Sequence, residues 1–296
     1  MGFDVIVVNY RCHEALTKCL SSLETWESEK LSTVFVVDNS EVPLPDELVG
    51  RFPRFIWLVN PENVGFSRAV NQALRKVSAQ YVCLLNPDAE ISGTFWSPVE
   101  DWLNANQDVA VLGPRIIDTD GSIQGSARAF PTLATAFFGR TSLFSRLWPH
   151  NPITRKNILA IPSLRAPIDV DWVSGACMIV RRSAIEQVGS LDKKFYLYWE
   201  DCDWCTRFRI AGWKVVYHPG VGSVIHHGGR ASMNAKWTAL YHFHRSAFLL
   251  YWKYDRTPVK IGSLFAFAGA MLRCGIQGLK LVTFYSSAKH QDQRRP

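Results

Sequence analysis

An α/β fold is predicted, with a mostly parallel central sheet, flanking helices and a C-terminal helical appendage. Three observations lead there. Runs of β-branched residues alternate with segments of helical period as far as Leu112, the pattern of a parallel sheet covered on both faces. Three of those runs end in Asn9-Tyr10, Asp38-Asn39 and Asn86-Pro87-Asp88, and ligands bind beyond the carboxyl ends of such strands. From Arg230 onward the composition changes: 11 Lys/Arg stand against 2 Asp/Glu, a charge of +9, whereas the first 229 residues carry −2.

Taken in order, residues 4–9 (DVIVVN) read as a buried strand, and 13–26 as a helix with its apolar face on Ala15, Leu16, Cys19, Leu20 and Leu23. Strands follow at 33–37 and 55–59, then a helix at 63–77 opened by Asn63 as N-cap. A strand at 81–85 is stopped by Asn86-Pro87, and a helix at 95–106 leads to a strand at 109–112. Asp118-Thr119-Asp120-Gly121 reads as a turn between short strands. Residues 130–147 are aromatic and partly helical, and 151–167 form a proline-rich loop able to cover a site. Strand character returns at 171–180, where Ser174-Gly175-Ala176 lets a backbone or a ligand come close. A helix at 183–188 and strands at 213–217 and 221–227 complete the pattern.

The 296 residues, 47% of them apolar, suffice for one large α/β domain, or a domain with an appendage. Seven cysteines, scattered and odd in number, point to a reducing compartment; the single Cys202/Cys205 pair fits helix packing better than zinc or redox chemistry. No signal peptide is expected, because the chain passes almost at once into an apolar run. Neither GxxxxGK[ST] nor a GxGxxG after the first strand is present, which disfavours P-loop and dinucleotide-binding enzymes. A nucleotide on this sheet would need another device for its diphosphate, and a divalent cation on Asp88 is the obvious one. The pair His226-His227 offers an imidazole at another strand end, and one carboxylate with one imidazole suits manganese better than magnesium.

Residues 195–207 (FYLYWEDCDWCTR) concentrate the chemistry. Helical spacing pairs Asp203 with Arg207, and Asp201 falls near a helix start, where the dipole favours an ionised carboxylate. An ionised acid beside Tyr198 and Trp199 suits a general base waiting for a hydroxyl. The same residues also suit a capped, salt-bridged helix with an aromatic core face, and this stretch alone leaves both readings open.

The ordered set Val8-Asn9-Tyr10, Val37-Asp38-Asn39-Ser40, Asn63-Val64-Gly65-Phe66 with Asn71, Leu85-Asn86-Pro87-Asp88, Asp171-Trp172-Val173-Ser174-Gly175-Ala176, Glu200-Asp201-Cys202-Asp203 with Arg207, Ala211-Gly212-Trp213 and Ile225-His226-His227-Gly228 resembles family 2 inverting glycosyltransferases, and within them the bacterial rhamnosyltransferase-like branch that builds cell-surface polysaccharides. Each motif is short; their order and spacing over residues 3–230 carry the likeness. It implies a GT-A fold in residues 1–230, with a nucleotide-sugar half about 1–113 and an acceptor half about 114–230. It also implies a dTDP- or UDP-sugar donor, Mn2+ or Mg2+, and transfer of rhamnose or another hexose to a saccharide or polyprenyl-diphosphate-linked acceptor. Carried over, Asp38 reads the base with Asn9 and Tyr10 beside it, and Asn63, Gly65 and Asn71 line the nucleotide site. Asn86 and Asp88 replace the family's DxD, with Asp88 and His226 at the cation. Asp201 is the base; Glu200 supports it, and Trp172, Tyr198, Trp199 and Asp203 face the acceptor. Two departures stand out: Asn86 occupies the first DxD position, and Arg11 replaces a small polar residue.

The tail, 231–296, places aromatics among basic residues and holds an apolar run at 261–272, too short for an ordinary membrane span. It fits attachment to an anionic membrane surface, with the protein cytoplasmic and peripheral at the inner face of the plasma membrane. Packing on the catalytic domain and a homodimer contact are the alternatives, and nucleic acid is not an expected partner. Two rival functions are a non-catalytic nucleotide-sugar or polysaccharide binding protein and a sugar nucleotidyltransferase. The first sits badly with an intact base and cation carboxylate. The second would need a glycine-rich basic signature where this chain has Asn9-Tyr10-Arg11-Cys12.

Overall fold

The computed structural model describes residues 2–132, 157–228 and 236–256, with single positions 260, 263, 271 and 275 beyond them. The chain runs β1 (Phe3–Asn9), α1 (His13–Thr25), β2 (Leu31–Asp38), α2 (Asp46–Arg51), β3 (Ile56–Val59), α3 (Phe66–Leu74), β4 (Tyr81–Leu85), β5 (Ala89–Ser92), α4 (Trp96–Ala105) and β6 (Val109–Ile117). It continues with β7 (Ala127–Arg128), β8 (Ile168–Asp169), β9 (Trp172–Val173), β10 (Cys177–Arg181), α5 (Arg182–Val188), α6 (Glu200–Ile210), β11 (Lys214–His226) and α7 (Lys236–Tyr254).

The main sheet has the order β3-β2-β1-β4-β10-β6-β11-β5, with β8 on β11, and β7 and β9 form a separate pair. Strands β1 to β4 are parallel, as expected. The second half is mixed, because β10 enters antiparallel between β4 and β6 while β6 and β11 run parallel.

Every residue of β1 is buried, which is what a strand covered on both faces requires. Alternate residues point to opposite faces. Val5 and Val7 pack with Leu16, Leu20 and Leu23 of α1, whereas Ile6 and Val8 pack with Ala69 and Val70 of α3. Each fully buried leucine of α1 contributes roughly 1.5–3 kcal/mol, enough to dock a helix that has no side-chain N-cap.

Three local differences from the sequence reading have physical causes. Helix α3 begins at Phe66 rather than Asn63, because Gly65 sits at φ 83° and Asn63 Oδ1 accepts its N–H at 3.0 Å in a turn. The two strands expected around Pro219 are one strand, β11; a register shift between His218 and Ser223 absorbs the interruption. The strand expected over 171–180 is divided by Ser174–Ala176 into β9 and β10. The aromatic stretch 133–147, the first part of the proline-rich loop and nearly all of the 261–272 run lie outside the described residues. No described helix is long and apolar enough to cross a membrane.

Candidate active site

A cleft of about 320 Å³ opens at the carboxyl ends of β1, β2 and β4. Tyr10, Asn39 and Asn63 line one side, Asn86, Asp88 and His226 the floor, and Tyr198, Glu200 and Asp201 the other side. Helix α7 contributes Thr238 and Ala239 to the rim.

On the first side, Asp38 ends β2 fully buried. Its Oδ1 accepts from Asn9 Nδ2 and Ser40 Oγ, both at 2.6 Å, while its Oδ2 has no hydrogen-bond partner. A buried carboxylate oxygen left unpaired costs about 1–3 kcal/mol, so this atom is one that a further N–H would satisfy, although Asp38 itself does not line the cleft and Asn39 next to it does. Asn9 acts as its support: Nδ2 also reaches Ser40 Oγ at 3.0 Å, and Oδ1 faces the Cys12 thiol at 3.2 Å. Tyr10 offers its ring beneath the Arg11 guanidinium, 5.3 Å from the centroid, and Arg11 is tied to Glu41 at 2.8 Å. The Gly65 turn is pressed against Tyr196. The Phe66 N–H donates to the Tyr196 carbonyl at 2.7 Å, Tyr196 OH donates to the Asn63 carbonyl at 2.9 Å, and a Cβ on Gly65 would lie 2.5 Å from the Tyr196 ring.

Asn71 is placed elsewhere. Its amide brackets the backbone of Leu191, donating at 2.8 Å and accepting at 3.0 Å, so it joins α3 to the loop after α5 and does not line the cleft. Asp203 is likewise withdrawn: fully buried, it is held by Arg207 at 3.0 Å, Lys253 at 2.7 Å and Tyr254 OH at 2.8 Å. Trp172 and Trp199 spend their indole N–H groups on the carbonyls of Ala129 and Phe243 and sit with ring centroids 6.0 Å apart. Of the aromatic trio, Tyr198 is the one that lines the cleft.

On the floor, Asp88 Oδ1 lies 3.2 Å from His226 Nε2, and Asn86 Nδ2 lies 3.2 Å from the same nitrogen. Pairing of β5 with β11 sets His226 opposite Ala89 and so beside Asp88. The second histidine faces away and pairs with Glu90 at 2.5 Å.

Asp201 stands in the first turn of α6, half-buried. Gly175 N–H donates to its Oδ2 at 3.0 Å and Cys202 N–H to its Oδ1 at 2.8 Å. Burial pushes its carboxyl above the usual range, against those two amides and the Arg128 charge, which pull it down. A raised carboxylate is a better base near neutral pH. A Cβ at Gly175 would make ordinary van der Waals contact, 3.7 Å from Asp201 Cβ, so it is the Gly175 N–H and not the missing side chain that holds the carboxylate. Glu200 is more deeply buried, with Oε2 unpartnered, and its carboxyl is pushed well up by burial and then by the Asp201 charge. Tyr198 and Trp199 deliver this pair with φ of 66° and 68°, a left-handed backbone that costs non-glycine residues energy and recurs at functional turns.

Sequence reasoning missed Tyr196, Gln124 and the α7 rim. Tyr196 was visible only as part of an aromatic run, and the other two are brought in by pairings more than 35 residues distant in sequence.

Residues 4–189 match the family model described as Glycosyl transferase family 2. The chain belongs to that family. The family carries glycosyltransferase activity, and the rhamnosyltransferase-like branch within it is shown by an N-acetylglucosaminyl-diphospho-decaprenol L-rhamnosyltransferase of Mycobacterium tuberculosis, 31% identical over 264 residues, 83% of this chain and 82% of that protein. Two solved structures share the GT-A fold at 14% identity. A mannosyltransferase from Pyrobaculum calidifontis, in complex with GDP-Man and Mn2+, has a TM-score of 0.54 over 99% of this chain and 81% of its own. GalNAc-T7, with UDP, GalNAc and Mn2+, has a TM-score of 0.57 over 76% of this chain and 44% of its own, so this chain spans under half of that neighbour.

Proposed function

We propose that this family 2 enzyme transfers rhamnose or another hexose, with inversion, from a dTDP- or UDP-sugar to a saccharide or polyprenyl-diphosphate-linked acceptor in cell-surface polysaccharide synthesis. The observation that carries the reading is Asp201: a carboxylate with a raised pKa, fixed by two backbone amides on the lining of the cleft that also holds Tyr10 and Asn39. The relative's lipid-linked acceptor supports the choice of acceptor class.

In this mechanism the unpaired Oδ2 of Asp38 accepts an N–H from the pyrimidine, and Tyr10 offers a face for stacking. Asp201 takes the proton from the acceptor hydroxyl as that oxygen attacks the anomeric carbon from the side opposite the nucleotide. Tyr198 offers the acceptor sugar an apolar face. Glu200, protonated, keeps a second negative charge away from Asp201.

The chemistry of the donor set fits a divalent cation. Among the described residues, the cleft lining holds three carboxylates, Asp88, Glu200 and Asp201, and no lysine or arginine, so a diphosphate there needs a positive charge from another source. Asp88 Oδ1 and His226 Nε2, 3.2 Å apart, would hold Mn2+ or Mg2+, with Asn86 beside them and the remaining positions left to diphosphate oxygens. Such an ion, when bound, would supply stabilisation of the departing nucleoside diphosphate. Helix α7 exposes Trp237, Tyr241 and Trp252, which supports peripheral attachment to an anionic membrane surface.

The deciding experiment incubates the protein with dTDP-, UDP- and GDP-sugars and a polyprenyl-diphosphate saccharide, with and without Mn2+, and measures nucleoside diphosphate release and product anomer. Acceptor-dependent release from one donor, with inversion, is the expected result. No release from any donor sinks the reading.

A further inference from the structure

Gln124 lies 102 residues before His226 in sequence and touches it twice. Its Oε1 is 2.9 Å from His226 Nδ1, and its Nε2 is 3.0 Å from the His226 carbonyl oxygen. The Nε2 group also donates to Asp118 Oδ1 at 2.7 Å. The amide orientation is set by these partners, since the atom facing a carbonyl and a carboxylate oxygen must be the NH2. Oε1 is then an acceptor, and the nitrogen it faces, Nδ1, must carry the imidazole proton.

The local fold builds this contact. Asp118 opens a turn closed by Gly121 N–H on the Asp118 carbonyl at 2.9 Å. The return limb bridges Ile123 to Ile117 and bonds Gln124 N–H to the Ile116 carbonyl at 2.9 Å. Ile117 in turn pairs with Ile225, so the turn sets Gln124 beside the end of β11.

The proton's place has a consequence at the other ring nitrogen. Two groups face that atom. Asp88 Oδ1, 3.2 Å from Nε2, attracts a proton to it, because an N–H donated to a carboxylate makes a stronger bond than one donated to a neutral amide. The Asn86 Nδ2 amide, also at 3.2 Å, is instead satisfied by a lone pair there and sides with Gln124. With the proton on Nε2 the ring has no lone pair toward Asp88. Gln124 opposes this by two bonds on its NH2 that hold and polarise the amide. We propose that Gln124, anchored by Asp118, is a positioning residue that keeps the His226 proton on Nδ1 and so keeps Nε2 as a lone-pair donor beside Asp88. The role in ion binding rests on the cation reading given under the proposed function; the tautomer does not.

Two measurements separate these. Imidazole 15N shifts of the metal-free protein, with His226 assigned from the spectrum of His226→Gln, report which nitrogen bears the proton. Mn2+ titration by electron paramagnetic resonance, with dTDP present, reports ion affinity. The wild type should show the Nδ1–H form. Gln124→Leu should move the proton to Nε2 and weaken Mn2+ binding by about 10- to 100-fold, the usual cost of losing an outer partner of a metal-bound histidine. Asp118→Ala, at the start of an exposed turn, should shift both readouts in the same direction by less, and serves if Gln124→Leu does not fold. An unchanged tautomer in Gln124→Leu or, failing that, in Asp118→Ala overturns the proposal. A shifted tautomer with unchanged Mn2+ affinity overturns its link to the ion. Absence of Mn2+ binding by the wild type refutes the cation reading and leaves the tautomer result standing.

Discussion

Tyr254 donates its hydroxyl to Asp203 Oδ1 at 2.8 Å, fastening the end of helix α7 to helix α6 two residues after Asp201. Burial and then the Asp203 charge push the phenol well up, which keeps the hydroxyl a donor. A hydrogen bond to a charged group is worth about 1.5–3 kcal/mol. Tyr254→Phe should therefore lower stability by about that amount in urea, with Arg207 and Lys253 still holding Asp203. An unchanged midpoint would show that α7 is not fastened there.

Asp201→Asn should reduce turnover by about a thousandfold or more while leaving donor binding intact, since general base catalysis contributes about 10²–10⁴-fold and the amide keeps the same shape. Because burial raises the Asp201 carboxyl, the acid limb of the wild-type kcat/KM profile should lie above the ordinary aspartate value of about 3.9. A limb at or below that value would remove Asp201 as the base.

Glu200→Gln addresses stability. A carboxyl raised in the folded state favours folding fully below its unfolded pKa of about 4.3, and that advantage declines as pH rises toward the folded value. The glutamine side chain does not titrate, so the variant should match the wild type near pH 4 and exceed it by on the order of 1 kcal/mol at pH 8. Thermal melts at both pH values read this directly. A variant less stable at pH 8 would mean that Glu200 is stabilised as an ion.

Gly65→Ala would set a Cβ 2.5 Å from the Tyr196 ring at a φ of 83°. The loop must move, and Asn63 moves with it through Tyr196 OH. The Kd for dTDP should rise about tenfold, a loss of about 1.4 kcal/mol, with little change in Mn2+ binding. Calorimetry with dTDP is the check.

Local pattern discloses some of these positions and hides others. Asp38, Asn86 and Asp88 were legible because apolar runs end abruptly in polar residues, and Gly65 because its motif is short and local. The Asp203–Arg207 pair was legible from helical spacing and is present at 3.0 Å, but the acceptor-facing place for Asp203 and the cleft place for Asn71 were not, since a polar side chain in a motif has the same appearance whether it faces a ligand or clamps a backbone. The partners that withdraw them, Leu191 and Tyr254, lie 120 and 51 residues away, beyond any local period. The same applies to β5, too short to announce itself, and to the bulged β11, where Pro219-Gly220 reads as an ending while pairing with β6 carries the strand through.

Strand β10 sits between β4 and β6, although it is made long after both. On a ribosome adding 5–20 residues per second, the roughly 90 residues that separate β4 from β10 take about 5–20 s to appear. The edge of Tyr81–Leu85 lacks its native neighbour throughout that interval and that of Val109–Ile117 from the time it is made, and open edges of apolar strands are templates for pairing with other chains. The pace of translation between Asn86 and Ala176 therefore governs how long these two apolar edges stand open to other chains.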